Sequence, residues 1–208
     1  VGGQQRICTA TRKNPVNTLP LPRGLTHGFS GSGNQWRVKW VLLSPAIFPE
    51  IIPGKDRQGS PQPGGWLPNW ICSQSGKVLL KNINAERDPG KESREQWRQR
   101  VQNMPPIQAK LVAAIIPKPM VVTGWSLPKP DRPSSENAKP THLAVPAGAI
   151  YYFEAQTRQE AEALAAALNW HGSNTHSQSI QNRRSTLLGE QGYGIGVVVT
   201  WDFYSKPK

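Results

Sequence analysis

Arg183-Arg184-Ser185 is followed closely by Gly189, Gly192, Gly194 and Gly196, with Tyr193 among them, and then by the β-branched run Val197-Val198-Val199. Two guanidinium groups supply fixed positive charge, and glycines let main-chain N–H groups come close to an anion. A tyrosine ring adds a flat apolar surface on which an unpaired base can stack. That set suits the holding of a phosphodiester backbone better than the breaking of one. The bland reading of each part is different: Gly192-Tyr193-Gly194 alone is a tight turn before a strand, and Arg183-Arg184 alone is a solvated loop pair.

Bond-breaking chemistry has a smaller set of candidates. His171 and His176, with His27 and His142 behind them, are the residues able to act as a general base on a ribose hydroxyl. Lys118 or Arg184 would then be the cation that stabilises charge developing on phosphate. No spacing ties these residues into one unit, and polar loop histidines are the simpler reading. Asp56, Asp88, Asp131 and Asp202 are scattered without metal-ligand spacing, and no Walker loop, His-Asp pair or Glu-x-x-His unit occurs. Neither a metal nor any other cofactor is expected, and no catalytic residue is assigned. The two cysteines, Cys8 and Cys72, are too few for a disulfide framework and read as reduced thiols.

The elements that must position these residues follow from periodicity. Trp36 to Leu42 alternates, setting Trp36, Val38 and Trp40 on one face of a strand and Arg37 and Lys39 on the other, where the cations meet solvent or phosphate. The simpler reading of that pair is an ordinary exposed strand face. Gly64-Gly65-Trp66-Leu67-Pro68 reads as a turn with an anchoring tryptophan, Lys77 to Ile83 as a short strand, and Ser93 to Gln102 as a polar helix or an insertion. Leu111 to Ile116 and Met120 to Val122 are strand-length apolar runs split by Pro117-Lys118-Pro119, a break compatible with an edge or a hairpin. His142 to Val145 and Gly148 to Phe153 read as strands, and alternation puts Tyr151 with Phe153 on one face and Tyr152 on the other. Thr157 caps a helix in which Glu160 completes a capping box, with Ala161, Leu164, Ala167 and Leu168 as its apolar stripe, ending near Asn169. Leu127 to Pro140 reads as a surface loop.

The C-terminal third therefore runs strand, strand, helix, loop, strand. This predicts an α+β fold in which a small antiparallel sheet is covered on one face by a helix, as in ferredoxin-like and RRM-like folds, with long loops between elements. Twenty prolines and nineteen glycines in 208 residues agree with those loops. Residues 1–34 are polar and turn-rich without a clear period, and 35–208 form the interpretable part.

Lys plus Arg is 25 against 13 for Asp plus Glu, a net charge of +12, so an acidic polymer is the expected partner. A membrane is disfavoured, because the sequence has neither a long apolar span nor a basic amphipathic helix with a continuous apolar face. The opening Val-Gly-Gly-Gln-Gln-Arg has no apolar signal stretch and no initiator methionine. It reads as part of a cytoplasmic protein, whole or cut from a longer polypeptide. A basic scaffold protein such as a ribosomal component would fit the charge but leaves the tryptophan and glycine motifs unexplained.

Trp40 to Phe48, Gly65-Trp66-Leu67-Pro68, Gly124-Trp125, Val145 to Phe153 and the glycine loop stand in an order that resembles one branch of the RAMP superfamily of CRISPR-associated proteins, the family of the third Cmr subunit. The resemblance runs from about Trp36 to Phe203. An N-terminal ferredoxin-like half, usual in that family, is not evident in residues 1–34. What the resemblance implies is a non-catalytic subunit of a prokaryotic type III effector ribonucleoprotein. Such a subunit grips the repeat-derived five-prime handle of the crRNA, docks against the large polymerase-like subunit and the adjacent RAMP backbone subunit, and meets target RNA indirectly in antiviral defence. The family's glycine-rich loop falls on Gly189, Gly192, Tyr193 and Gly194. With Arg183, Arg184, Ser185, Arg37, Lys39 and Lys118 these make up the expected RNA-binding set. Related RAMP proteins that cleave precursor crRNA without metal are the alternative.

Overall fold

The computed structural model describes residues 21–25, 28–29, 31–32, 35–52, 62–82, 90–124 and 139–201. The expectations placed on Cys8, His27, the four aspartates and Trp125, and on most of the 127–140 stretch, lie outside them. Nine elements follow one another: β1 (Gly31–Ser32), β2 (Gln35–Leu42), α1 (Arg94–Asn103), β3 (Ala109–Ile115), β4 (Met120–Val122), β5 (His142–Ala144), β6 (Ile150–Ala155), α2 (Arg158–Leu168) and β7 (Gly196–Val199).

The alternation in β2 and β6 produces the core. Val38, Trp40 and Leu42 point to one side of the sheet, where Tyr151, Phe153 and Ala155 of β6 join them, all nearly or wholly buried. β2 and β6 pair antiparallel with Trp40 opposite Tyr151 and Val38 opposite Phe153. β3 pairs with the far edge of β6, with a register shift between Leu111 and Ala113. The other edge of β2 carries two strands, β1 beside Gln35 and Trp36, and β7 from Lys39 to Leu42. Ignoring the two-residue β1, the order across the sheet is β7, β2, β6, β3, all antiparallel.

α2 seals the buried face with Ala161, Leu164, Ala165 and Leu168. Ala165 thus takes the place expected for Ala167, which is only half-buried. Thr157 caps the helix through the Glu160 N–H, but the reciprocal half of the box is missing. The Glu160 carboxylate instead accepts from the Gln108 N–H at 2.9 Å, tying the start of the helix to the approach to β3. In α1 the box is complete, between Ser93 and Gln96, and no residue of this helix is buried.

Two expectations change between β2 and β3. Lys77 onward forms no strand: Lys77, Val78 and Lys81 make isolated bridges to Lys110, Ile71 and Pro106. The anchoring tryptophan is Trp70, not Trp66. Trp70 packs against Trp40 and Phe153 at centroid distances of 5.6 and 6.1 Å, whereas Trp66 is half exposed. β4 and β5 form a separate two-stranded ribbon, as the Pro117-Lys118-Pro119 break permits. Within the irregular N-terminal segment, Leu25 donates to Val198 O and Pro22 accepts from the Trp170 indole, so residues 22–25 run beside β7.

Candidate nucleic-acid interface

The glycine loop sits between the end of α2 and the start of β7, folded around a 3-10 turn at Gly189–Gln191. Leu188, with φ of 57°, is the one non-glycine residue in the left-handed region among the described residues. Such a conformation costs of order 1 to 3 kcal/mol and persists only where the surroundings impose it. Gly192 follows at φ 86° and closes the turn. The expectation of free backbone donors is corrected here. Gln191 donates to Leu188 O, Gly192 to Gly189 O, Tyr193 to Leu188 O and Gly194 to Pro45 O. Ile195 donates to the Ser44 hydroxyl. The main-chain donors from Gln191 to Ile195 hold the loop in shape.

Arg183 and Arg184 are oriented differently. Arg183 is exposed and lies against Gly189, where a Cβ added to the glycine would stand 3.6 Å from Arg183 Cβ. Arg184 turns inward: its Nε donates to Ala167 O at 2.6 Å and a terminal nitrogen to Asn182 Oδ1 at 3.3 Å. Burial lowers its pKa to about 10, which still leaves it charged at neutral pH. Ser185 is internal as well, accepting from Ile47 N at 2.8 Å and donating to Leu187 O at 2.5 Å. Gly194 packs so closely on this segment that a Cβ there would overlap the Ser185 nitrogen. Of the expected loop residues, Arg183 is exposed against Gly189, Gly192 and Tyr193 are partly exposed in the same loop, and Arg184, Ser185 and Gly194 form its support.

The inward set completes a helix terminus. The last carbonyls of a helix lack intrahelical donors. Here Ala166 O accepts from Asn182 Nδ2, Ala167 O from Arg184, and Leu168 O from the Trp40 indole, at 2.8, 2.6 and 3.1 Å. A guanidinium at this end also faces the negative pole of the helix. Gly196 makes the indole contact possible, because a Cβ there would overlap Trp40 Nε1.

Arg37 and Lys39 lie on the sheet face opposite α2, as alternation requires, and both are half-buried. The Arg37 guanidinium stands 5.5 Å from the centre of the Trp201 ring, whose indole nitrogen donates to Val38 O at 3.1 Å. Lys118 is exposed and lines a groove of about 660 Å³ whose other walls include Trp66, Ile116, Pro117 and Leu143. It is not part of the loop surface. His171 is buried, with Nε2 2.8 Å from Arg23 O, and shares a cavity of about 680 Å³ with Arg184. His176 is exposed and His142 lies in β5. Among the described residues no group of histidine, cysteine and carboxylate side chains is placed to hold a metal. Sequence reading missed Asn182 and Trp201. Polarity in a loop gives no sign of a helix clamp for the first, and nothing in the order of residues joins the second to Val38.

An antiparallel sheet sealed on one face by α2 defines an α+β protein. The chain matches the family described as CRISPR-associated protein (Cas_Cmr3) over residues 1–201, and it belongs to that family. No curated protein and no solved structure matches it.

Proposed function

We propose that this protein is a non-catalytic RNA-binding and assembly subunit of a type III CRISPR effector ribonucleoprotein, working in the prokaryotic cytoplasm and capping the complex by holding the five-prime repeat-derived handle of the crRNA. The observation that carries the reading is the family match across residues 1–201. The exposed Arg183 beside Gly189, with Tyr193 on the same loop, supports it. We read the fold as ferredoxin-like: counting only β2, β3, β6 and β7, the sheet order is 4-1-3-2, that of a β-α-β-β-α-β unit. A helix without a buried residue in the first crossover is the departure from that pattern.

Assembly with the large polymerase-like subunit and the neighbouring RAMP subunit is supported by exposed apolar surface. Trp66, Ile115, Val121 and Leu143 are each at least half exposed around the β4–β5 ribbon and the groove at its root. Clusters of that kind mark interaction sites in soluble proteins.

The test is binding of labelled handle RNA to the full chain across a salt series. Arg183→Ala should weaken binding and lower the slope of log K against log salt by about 0.7, the value for one single-strand phosphate contact. Tyr193→Ala should cost about 1 to 3 kcal/mol if a base stacks there. An unchanged slope and affinity in both variants would remove the loop from the interface. Running the same incubation in EDTA with precursor repeat RNA reads the alternative. Cleavage lost in His171→Ala or His176→Ala would make the protein a metal-independent nuclease.

A further inference from the structure

We propose that the open face of the main sheet, centred on Tyr152 with Lys39 and Lys110 beside it, is a second contact surface that stacks an unpaired nucleotide of single-stranded RNA. The inference rests on the RNA-binding reading above and names a different part of the molecule.

The register places these residues together. Lys39 of β2 lies directly across from Tyr152 of β6, and Ala113 of β3 lies across from Tyr152 on its other side. Arg37 and Lys110 flank the next row, each opposite Glu154. Directly paired residues in an antiparallel ladder stand about 4.5 to 5.5 Å apart, which makes Lys39 an immediate neighbour of the ring, and Lys110 lies on the diagonal, at about 7 to 8 Å. Because side chains alternate, all of these project away from the face that α2 seals. Ala113 and Lys110 are exposed, and Tyr152 and Lys39 are partly so.

Among the described residues, the ring of Tyr152 is braced on one side and partly exposed on the other. Trp201 meets it edge-on, with centroids 5.1 Å apart and planes at 78°, and is itself held by Val38 O. On the β3 side the neighbour is alanine, which leaves room above the ring for a flat group. A base stacked there would bring its phosphates toward Lys39 and Lys110. Among the described residues, three cations against one carboxylate on this face favour an anionic strand over an apolar peptide, in keeping with the net charge of +12. At the Val41 and Val197 end the face is closed by Trp170 and Ile180, which bounds the platform.

The experiment uses the full chain with unstructured single-stranded oligouridine and, separately, with handle RNA. Tyr152→Ala should weaken oligouridine binding about tenfold, with Tyr152→Phe restoring it, since stacking needs the ring and not the hydroxyl. Removing Tyr152 also removes a neighbour of Trp201, so Lys39→Gln with Lys110→Gln provides a variant that leaves the core untouched. That pair should lower the salt slope by about 1.4, twice the single-strand value per contact. Photocrosslinking with iodouridine should map to the β6 peptide. Affinity, slope and crosslink all unchanged, while Arg183→Ala still weakens handle binding, would overturn this inference alone. Failure of the wild-type chain to bind either RNA would overturn it together with the handle reading.

Discussion

Arg183 and Arg184 carry the same side chain at adjacent positions, and what separates them is what each can reach. Arg184 finds the Ala167 carbonyl at 2.6 Å, while Arg183 is exposed along the flank of Gly189. A sequence can supply both cations and the glycines beside them, but the partner that draws one inward lies on α2. The same limit applied to the glycines. Gly192 and Gly194 both have positive φ, yet only Gly194 is pressed against other backbone. Tyr151 shows how burial translates into a pH dependence. Its ring is fully buried, its hydroxyl donates to Trp66 O at 2.7 Å, and desolvation raises its pKa well above the usual 10. Below about pH 10 the phenol is neutral in both folded and unfolded chains. Above it the unfolded chain releases a proton that the folded chain retains, so this contribution to stability is lost as pH rises. Tyr151→Phe should flatten the alkaline fall in urea-measured stability by up to about 1.4 kcal/mol per pH unit. A slope identical to the wild type would show that Tyr151 does not control it.

At the scale of elements, the strongest periods were legible. β2, β6 and α2 stand close to where alternation and the Thr157 cap put them, because each buries one continuous face against the others. The helix at residues 94–103 stands on the stretch read as a polar helix or an insertion, and its Ser93–Gln96 box, not read from the sequence, closes without a tertiary partner. What could not be read were contacts made across long separations. Glu160 has a cap partner within reach and bonds Gln108 instead; Lys77 to Lys81 have strand-like composition but only single-residue bridges. The end of α2 is the largest such case, with Asn182, Arg184 and Trp40 serving its last carbonyls. Arg184→Ala should therefore lower stability by about 1 to 3 kcal/mol, the cost of leaving a buried carbonyl without its donor. Chemical denaturation of the two single variants makes the comparison: Arg183→Ala should stay within about 0.5 kcal/mol of wild type. Equal losses in both would mean that the clamp contributes nothing particular.

For the whole molecule, charge and apolar surface act in opposite directions. A net charge of +12 keeps copies apart at low salt, and exposed Val121, Leu143, Ile115 and Trp66 draw them together once salt screens that repulsion. The isolated chain should therefore self-associate as salt rises, and Val121→Ser with Leu143→Ser should reduce this in sedimentation velocity. Equal association in the double variant would place the sticky surface elsewhere. The pairing of β7 with β2 has a consequence for biosynthesis. It joins position 39 to position 199, and everything between them must leave the ribosome before the sheet acquires that edge. Until then the nascent chain carries β2 with one edge unpaired from Lys39 to Leu42, a state that invites wrong partners. Cells making this protein have reason to shield it with a chaperone during translation.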